Sequence, residues 1–321
     1  MISGEGTIFD LVRCEDEAGW LGQRARGVGG SDVAAIMGLS PWRTPAEVWL
    51  EKTGRAEPQD LSDRPNVVFG NIMEPIVADW YREHHPGVRV RRVNAVCRSR
   101  MRPWAQASLD YELLEPGKGW GVLEIKTARD RRDWKAGIPD YYMTQVVHYL
   151  SVTGRTHATV AAFFRDEADF ACWRVERDER DVMAVEAAVD SFWHDFVEAD
   201  VMPVLVGTSG EARGLAQMYS EPSADSVTDT GADTLQLVSD YQDAAERERA
   251  AKADKQRAST LLMAKIGDHR TLFTDTARVT WSRSECEQLD VARLRAERPD
   301  TYREYCTKRV RNGGLRVTDI K

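Results

Sequence analysis

The 321-residue chain has no C-x-x-C pair. Its five cysteines, Cys14, Cys97, Cys172, Cys286 and Cys306, are odd in number and far apart. That argues against a disulfide framework, a zinc site and an iron–sulfur centre, and leaves reduced thiols. No apolar run approaches the roughly 20 residues of a membrane span. The opening "MISGEGTIFDLVRCEDE" lacks the basic-then-apolar order of a secretion signal, so a soluble, cytoplasmic protein is expected. There is no Gly-Lys-Ser/Thr, hence no P-loop and no ATP-driven motor. No internal repeat is present, and one or two domains are expected at this length.

A net positive charge is also missing: the formal value is −8. Residues 195–240 account for all of it, with nine acids against Arg213, and the rest balances at 43 basic and 43 acidic residues. Within that balanced part, "RVRRVNAVCRSRMR" (89–102) holds six arginines and no acid. A local basic stripe bears on nucleic-acid binding more than the total does, but a solvated strand pair reads the same way.

A mixed α/β unit is expected first. "RGVGGSDVAAIMGLSPWRTPAEVW" (26–49) holds four glycines and two prolines. Ser31 is the expected N-cap of a short helix that Gly38 stops. Thr44-Pro45-Ala46-Glu47 reads as a capping box with proline in the first helical turn. Residues 66–85 are helical by periodicity, with Ile72, Ile76, Val77 and Trp80 on one face and Pro75 in a first turn or at a kink. Strands follow at 88–98 and 105–114, then a turn at "PGKGWG" and the strand "VLEIKTA". Helix 139–152, strands 157–164 and 170–176 and helix 178–199 complete the unit, which spans 1–204. Residues 205–232, rich in Gly, Ser, Thr and acid, read as a linker. Residues 233–321 read as a charged helical arm over 233–266, a strand "ARVTWSR", two short helices around Pro299 and a last strand "LRVTDI".

The hairpin "ASLDYELLEPGKGWGVLEIKTA" carries the chemistry. Strand side chains alternate, so Glu124 and Lys126 share a face. A hairpin centred on Gly117 sets Asp110 directly opposite Glu124. Facing carboxylates repel, and a divalent cation with hard oxygen ligands, Mg²⁺ or Mn²⁺, offsets that repulsion. A nearby lysine can offset charge developing on a phosphate. A plain Glu124–Lys126 salt bridge on a solvated strand is the simpler alternative. Three further features stand beside it: Glu74 within an apolar helix face, Gln145 and His148 on the apolar helix "YYMTQVVHYLSVTG", and the glycine-rich helix start, which reads either as an ordinary capped turn or as an anion site built from free N–H groups, Ser31 and arginines.

The ordered blocks GVGGSD, SPWRTPAEVW, GNIMEP, ASLDYEL, LEIKTA, YYMTQVVHY and VTG resemble the YqaJ-type viral recombinases, phage nucleases related to lambda exonuclease, over about residues 20–200. The resemblance implies the restriction-endonuclease-like PD-(D/E)XK fold, a mixed sheet flanked by helices. It implies Asp110, Glu124 and the Ile125 carbonyl as metal ligands, joined by Glu74, with Lys126 as the catalytic lysine and Gln145 at the active site. Arg24 and Ser31 would contact a 5′-phosphate, with Gly29, Gly30 and Arg26 beside them. The chain departs from the pattern at Leu109, where the motif has proline, at Tyr111, commonly glycine, and at Val147, a glutamine in some relatives.

The implied activity is Mg²⁺-dependent (or Mn²⁺-dependent) 5′–3′ exonuclease action on linear double-stranded DNA, leaving 3′ tails for recombination. An annealing protein as partner, and a closed ring of subunits, belong to the same expectation. A structure- or site-specific endonuclease on this fold, or an inactive DNA-binding adaptor, are the alternatives.

Overall fold

The computed structural model describes residues 8–221, 225–282, 284–307 and 315–318. The chain divides into two compact units, Met1–Ser220 and Glu221–Lys321.

The first unit runs β1 (Phe9–Val12), α1 (Glu17–Ala25), α2 (Gly30–Ile36), α3 (Pro45–Lys52), α4 (Pro65–His84), β2 (Arg89–Arg92), β3 (Val96–Ser99), β4 (Gln106–Ser108), β5 (Tyr111–Glu115) and β6 (Gly119–Ala128). It continues through α5 (Asp140–Thr153), β7 (His157–Phe164), β8 (Asp169–Glu176), α6 (Glu179–Ser191) and α7 (Ser209–Met218). A five-stranded sheet has the order β2-β5-β6-β7-β8, with β6 and β7 parallel and the other pairs antiparallel. The parallel pair needs a crossover, which α5 supplies. A second sheet has the order β1-β3-β4. This is the mixed, helix-flanked α/β architecture expected from the sequence.

Each face of the large sheet has its own apolar cover. Leu123 and Ile125 of β6 pack with Val77, Ala78 and Tyr81 of α4. Val122, one residue out of phase, belongs to the larger cluster with Val146, Leu150 and Val33 on the α5 and α2 side. The period of two therefore turns Glu124 and Lys126 toward α5. β7, buried on both faces, is nearly all apolar, as a central strand must be.

Several elements differ from the sequence expectation. Strand 88–98 is two strands in different sheets, and so is 105–114, which breaks at Leu109-Asp110. On α4, Ile72 and Ile76 are exposed, whereas Val77, Ala78 and Tyr81 are buried, so the buried stripe is rotated from the expected one. Pro75 lies inside α4. Ser31 lies one residue inside α2, whose N-cap is Gly29. Thr44 caps α3, accepting from Glu47 N–H at 3.2 Å, but the Glu47 carboxylate accepts from Thr208 instead of closing the box. Helix 178–199 is α-helical to Ser191 and then widens to a π turn over Phe192–Glu198.

The expected linker 205–232 is in part a packed helix. The buried Glu211 carboxylate accepts the N–H groups of Val206, Gly207 and Thr208 at 3.0, 2.7 and 3.1 Å and the Thr44 hydroxyl at 2.7 Å. Those bonds, and Gly214 against Leu50, tie 206–218 to α3, and the division between units falls after Ser220.

The second unit holds α8 (Ala232–Ile266), the antiparallel pair β9 (Thr271–Phe273) and β10 (Arg278–Thr280), α9 (Val291–Glu297) and α10 (Pro299–Tyr305). Residues 315–318 of the expected last strand are not a strand, and 319–320 lie outside the described residues. No described helix is long and apolar enough to cross a membrane.

Candidate active site

The hairpin register is the expected one. Tyr111 pairs with Leu123 and Glu115 with Gly119, around a turn whose Gly117 and Gly119 have φ of 78° and 81°. That places Asp110, one step before β5, across from Glu124. The break at Leu109-Asp110 frees the Asp110 side chain to fold back, and its Oδ2 accepts from the Ile125 N–H at 3.0 Å. A strand residue sends its N–H and C=O to the same edge. The Ile125 carbonyl therefore leaves β6 on the Asp110 side, past the last β5 pair.

Glu124 is 1% exposed. Its Oε1 accepts from Lys126 Nζ at 2.5 Å and from Gln145 Nε2 at 2.9 Å, and Lys126 Nζ also donates to Gln145 Oε1 at 3.0 Å. Gln145 Nε2 further donates to the Tyr149 hydroxyl at 2.8 Å. Lys126 Nζ sits over the Tyr142 ring, 4.7 Å from its centroid. Glu74, reaching from α4, pairs with Arg92 at 3.1 Å. The sequence-derived set Asp110, Glu124, Lys126, Gln145 and Glu74 therefore converges on one end of the hairpin.

Its electrostatics are unbalanced. Burial, then the charge of Asp110, pushes the Glu124 carboxyl up to about 8 against the pull of Lys126. Burial also raises Asp110, and burial and Asp110 raise Glu74. Burial opposes the Lys126 charge, yet Glu124 and Asp110 hold its ammonium above the ordinary lysine value. The second Glu124 oxygen, Oε2, is buried with no hydrogen-bond partner. Among the described residues no group of three or more His, Cys, Asp and Glu side chains is gathered tightly enough to hold a metal. The donor set nonetheless fits a hard divalent cation: an orphaned carboxylate oxygen, a second raised carboxylate and a strand carbonyl.

His148, on the same helix as Gln145, faces elsewhere. It is buried, its Nε2 bonds the Gln106 carbonyl at 2.9 Å, and burial lowers it to about 4. It is a neutral core residue. The arginine stripe is likewise mostly paired within the fold: Arg91 on Glu112, Arg92 on Glu74, Arg100 on Asp10 and Arg102 on Glu186.

The glycine-rich segment lies beside this centre. Arg24 Nη2 donates to Ser31 Oγ at 3.2 Å. Both line a cleft of about 1030 Å³ that Gln145, Tyr141 and Tyr142 also line. Gly30 serves packing: a Cβ there would meet Tyr149 Cε1 at 2.5 Å and Gln145 Cγ at 2.8 Å. The Gly29 N–H is taken by Asp32 Oδ2 at 3.0 Å, so it is not free for an anion. Arg26 is exposed, outside these contacts.

Sequence reasoning missed Asp32. Fully buried, it holds Lys52 at 2.7 Å, Arg43 at 3.0 Å and Arg24 at 3.7 Å. Burial works against its charge, but those three cations hold its carboxyl well below the usual range. No local pattern marks it, because its partners come from α1, α3 and the loop between α2 and α3.

Residues 19–156 match the YqaJ-like viral recombinase domain. The uncharacterized protein YqaJ of Bacillus subtilis (strain 168) is 28% identical over 287 residues, 88% of each chain. Among solved structures, an alkaline exonuclease from Laribacter hongkongensis is 23% identical, over 57% of this chain and 93% of its own, with a TM-score of 0.48. A phage-related exonuclease from Haemophilus somnus 129PT is 11% identical, over 54% and 95%, with a TM-score of 0.41.

Proposed function

We propose that the protein is a divalent-cation-dependent exonuclease that digests linear double-stranded DNA from the 5′ end and leaves 3′ single strands for recombination. The observation that carries this reading is the buried Asp110–Glu124 pair, short of positive charge and bonded through Lys126 and Gln145, with Gln145 at the wall of an arginine-lined cleft. The match of residues 19–156 to the YqaJ-like viral recombinase domain supports it.

Asp110, Glu124 and the Ile125 carbonyl would hold Mg²⁺, or Mn²⁺ in its place, with Glu74 nearby. The cation would supply an activated water and offset phosphate charge. Lys126 keeps its proton beside the carboxylates and offsets charge developing on the phosphate oxygens. Gln145, bonded to both Glu124 and Lys126, holds their side chains in place. Arg24 and Ser31 would hold the terminal 5′-phosphate through side-chain donors, with Arg26 two residues on in the chain. The released 3′ strand would pass to an annealing protein.

The test compares linear duplex with covalently closed circles, in Mg²⁺ and in EDTA, with 5′-phosphate or 5′-hydroxyl ends. The expected result is metal-dependent loss of nucleotides from linear DNA, faster from 5′-phosphate. Cutting of closed circles at a similar rate would instead favour an endonuclease.

A further inference from the structure

Trp42 is a tryptophan left in the open. It is 64% exposed, yet it lines the same cleft as Gln145 and Arg24. Its ring meets Tyr141 edge to face, with centroids 4.8 Å apart and planes at 77°. Tyr141 meets Tyr142 at 4.5 Å, and Tyr142 lies under the Lys126 ammonium at 4.7 Å. A chain of three rings therefore runs from the hairpin lysine to an indole with an open surface.

The loop that carries Trp42 is braced. Ser40 Oγ accepts the N–H groups of Trp42 and Arg43, each at 3.2 Å, and Pro41 fixes the backbone between them. Arg43 is anchored on buried Asp32 at 3.0 Å and on Glu51 at 2.7 Å. An exposed indole on a mobile loop would be unremarked surface, but here the backbone on either side is held and the ring is presented. Exposing a large aromatic to water forgoes the burial that such a side chain ordinarily gains. The cleft around it also contains Arg64 and Arg213. Aromatic rings beside cationic side chains in one groove match the chemistry of unpaired nucleic acid, where bases stack on rings and cations follow the phosphates.

We infer that Trp42 is a base-stacking residue that receives one nucleobase of the DNA end while the adjoining backbone lies toward Lys126. The inference rests on the nuclease reading. It adds a recognition element that grips the face of a base, and so tolerates any sequence.

The test is a binding cycle with the full chain in Ca²⁺, using fluorescently labelled 5′-phosphorylated duplexes. In each, one of the first three nucleotides of either strand is replaced by an abasic residue. With intact DNA, Trp42→Ala should weaken binding about 5- to 100-fold, the usual cost of losing one stacked base, while Trp42→Phe keeps most of the affinity. At one position, removal of the base should weaken wild-type binding by a similar factor and leave Trp42→Ala unchanged. Wild-type affinity in Trp42→Ala, or equal abasic penalties in both proteins at every position, overturns the inference. Digestion of the same intact duplex by wild type in Mg²⁺ is measured in parallel. No digestion there overturns the nuclease reading, whereas digestion without Trp42–base coupling overturns only the stacking role.

Discussion

Two carboxylates in the first unit are equally hidden from water and oppositely furnished. Asp32 is 0% exposed and Glu124 1%. Burial is the largest influence on both and raises both. Asp32 meets three cations, Lys52, Arg43 and Arg24, and ends well below the normal carboxylate range. Glu124 meets one cation, Lys126, and faces a second carboxylate, and ends at about 8. The first cluster is complete and fixes the helices and the loop that carry Arg24 and Arg43. The second is short of positive charge within the fold, which is why the proposed cation is assigned to it.

The sharpest way to break this contrast is by activity. Glu124→Gln or Lys126→Ala should slow digestion of linear duplex by about 10²- to 10³-fold or more, with circular dichroism unchanged, because neither side chain builds the apolar core. Lys126→Ala with full activity would remove the hairpin from the mechanism.

Stability should rank the two carboxylates the other way. Asp32→Asn leaves three cations around a neutral amide and should cost about 3–5 kcal/mol in urea unfolding. Glu124→Gln, without divalent cation at pH 8 or above, should be neutral or stabilising, because it removes a buried charge that is poorly compensated. Equal losses in both variants would dissolve the distinction.

A smaller effect is expected at the end-binding side chains. Arg24→Ala should lower the rate ratio of 5′-phosphorylated to 5′-hydroxyl duplex about 10- to 100-fold, as expected for one charge-assisted hydrogen bond. A ratio near one in wild type would return Arg24 and Ser31 to a purely structural role around Asp32.

A last check, on pH dependence, uses a buried group outside both clusters. His148 is neutral in the fold, lowered from 6.5 to about 4. Between those values the unfolded chain binds the extra proton, so the stability from His148 is complete above 6.5 and is lost as pH falls toward 4. His148→Gln should flatten the unfolding free energy across pH 4–6.5. An unchanged slope would mean that other groups carry the acid response.

Much of the hairpin was legible because its rules are local. Alternation put Glu124 and Lys126 on one face, and the glycine turn set the register that brings Asp110 opposite Glu124. Helix α7 left a readable signal that composition outweighed: Thr208-x-x-Glu211 is a capping box, and both halves of it form. The face of α4 was misread because Ile72 and Ile76 are apolar but exposed, while the smaller Ala78 is buried. An apolar stripe shows that a helix packs, but its neighbours choose the angle at which it does so.

The sequence by itself determined the alternating β5–β6 hairpin, its turn, the helix that carries Gln145 and the long α8 (Ala232–Ile266), because each depends on residues within a few positions of one another. Only the tertiary structure decided that Asp32 would gather Arg24, Arg43 and Lys52, that Gly30 would be needed for the approach of Tyr149, and that Trp42 would stand open in the cleft. Those outcomes arise from close packing of helices distant in sequence, where contact distances of 3–4 Å between side chains are set by three-dimensional fit and leave no periodic trace in the chain.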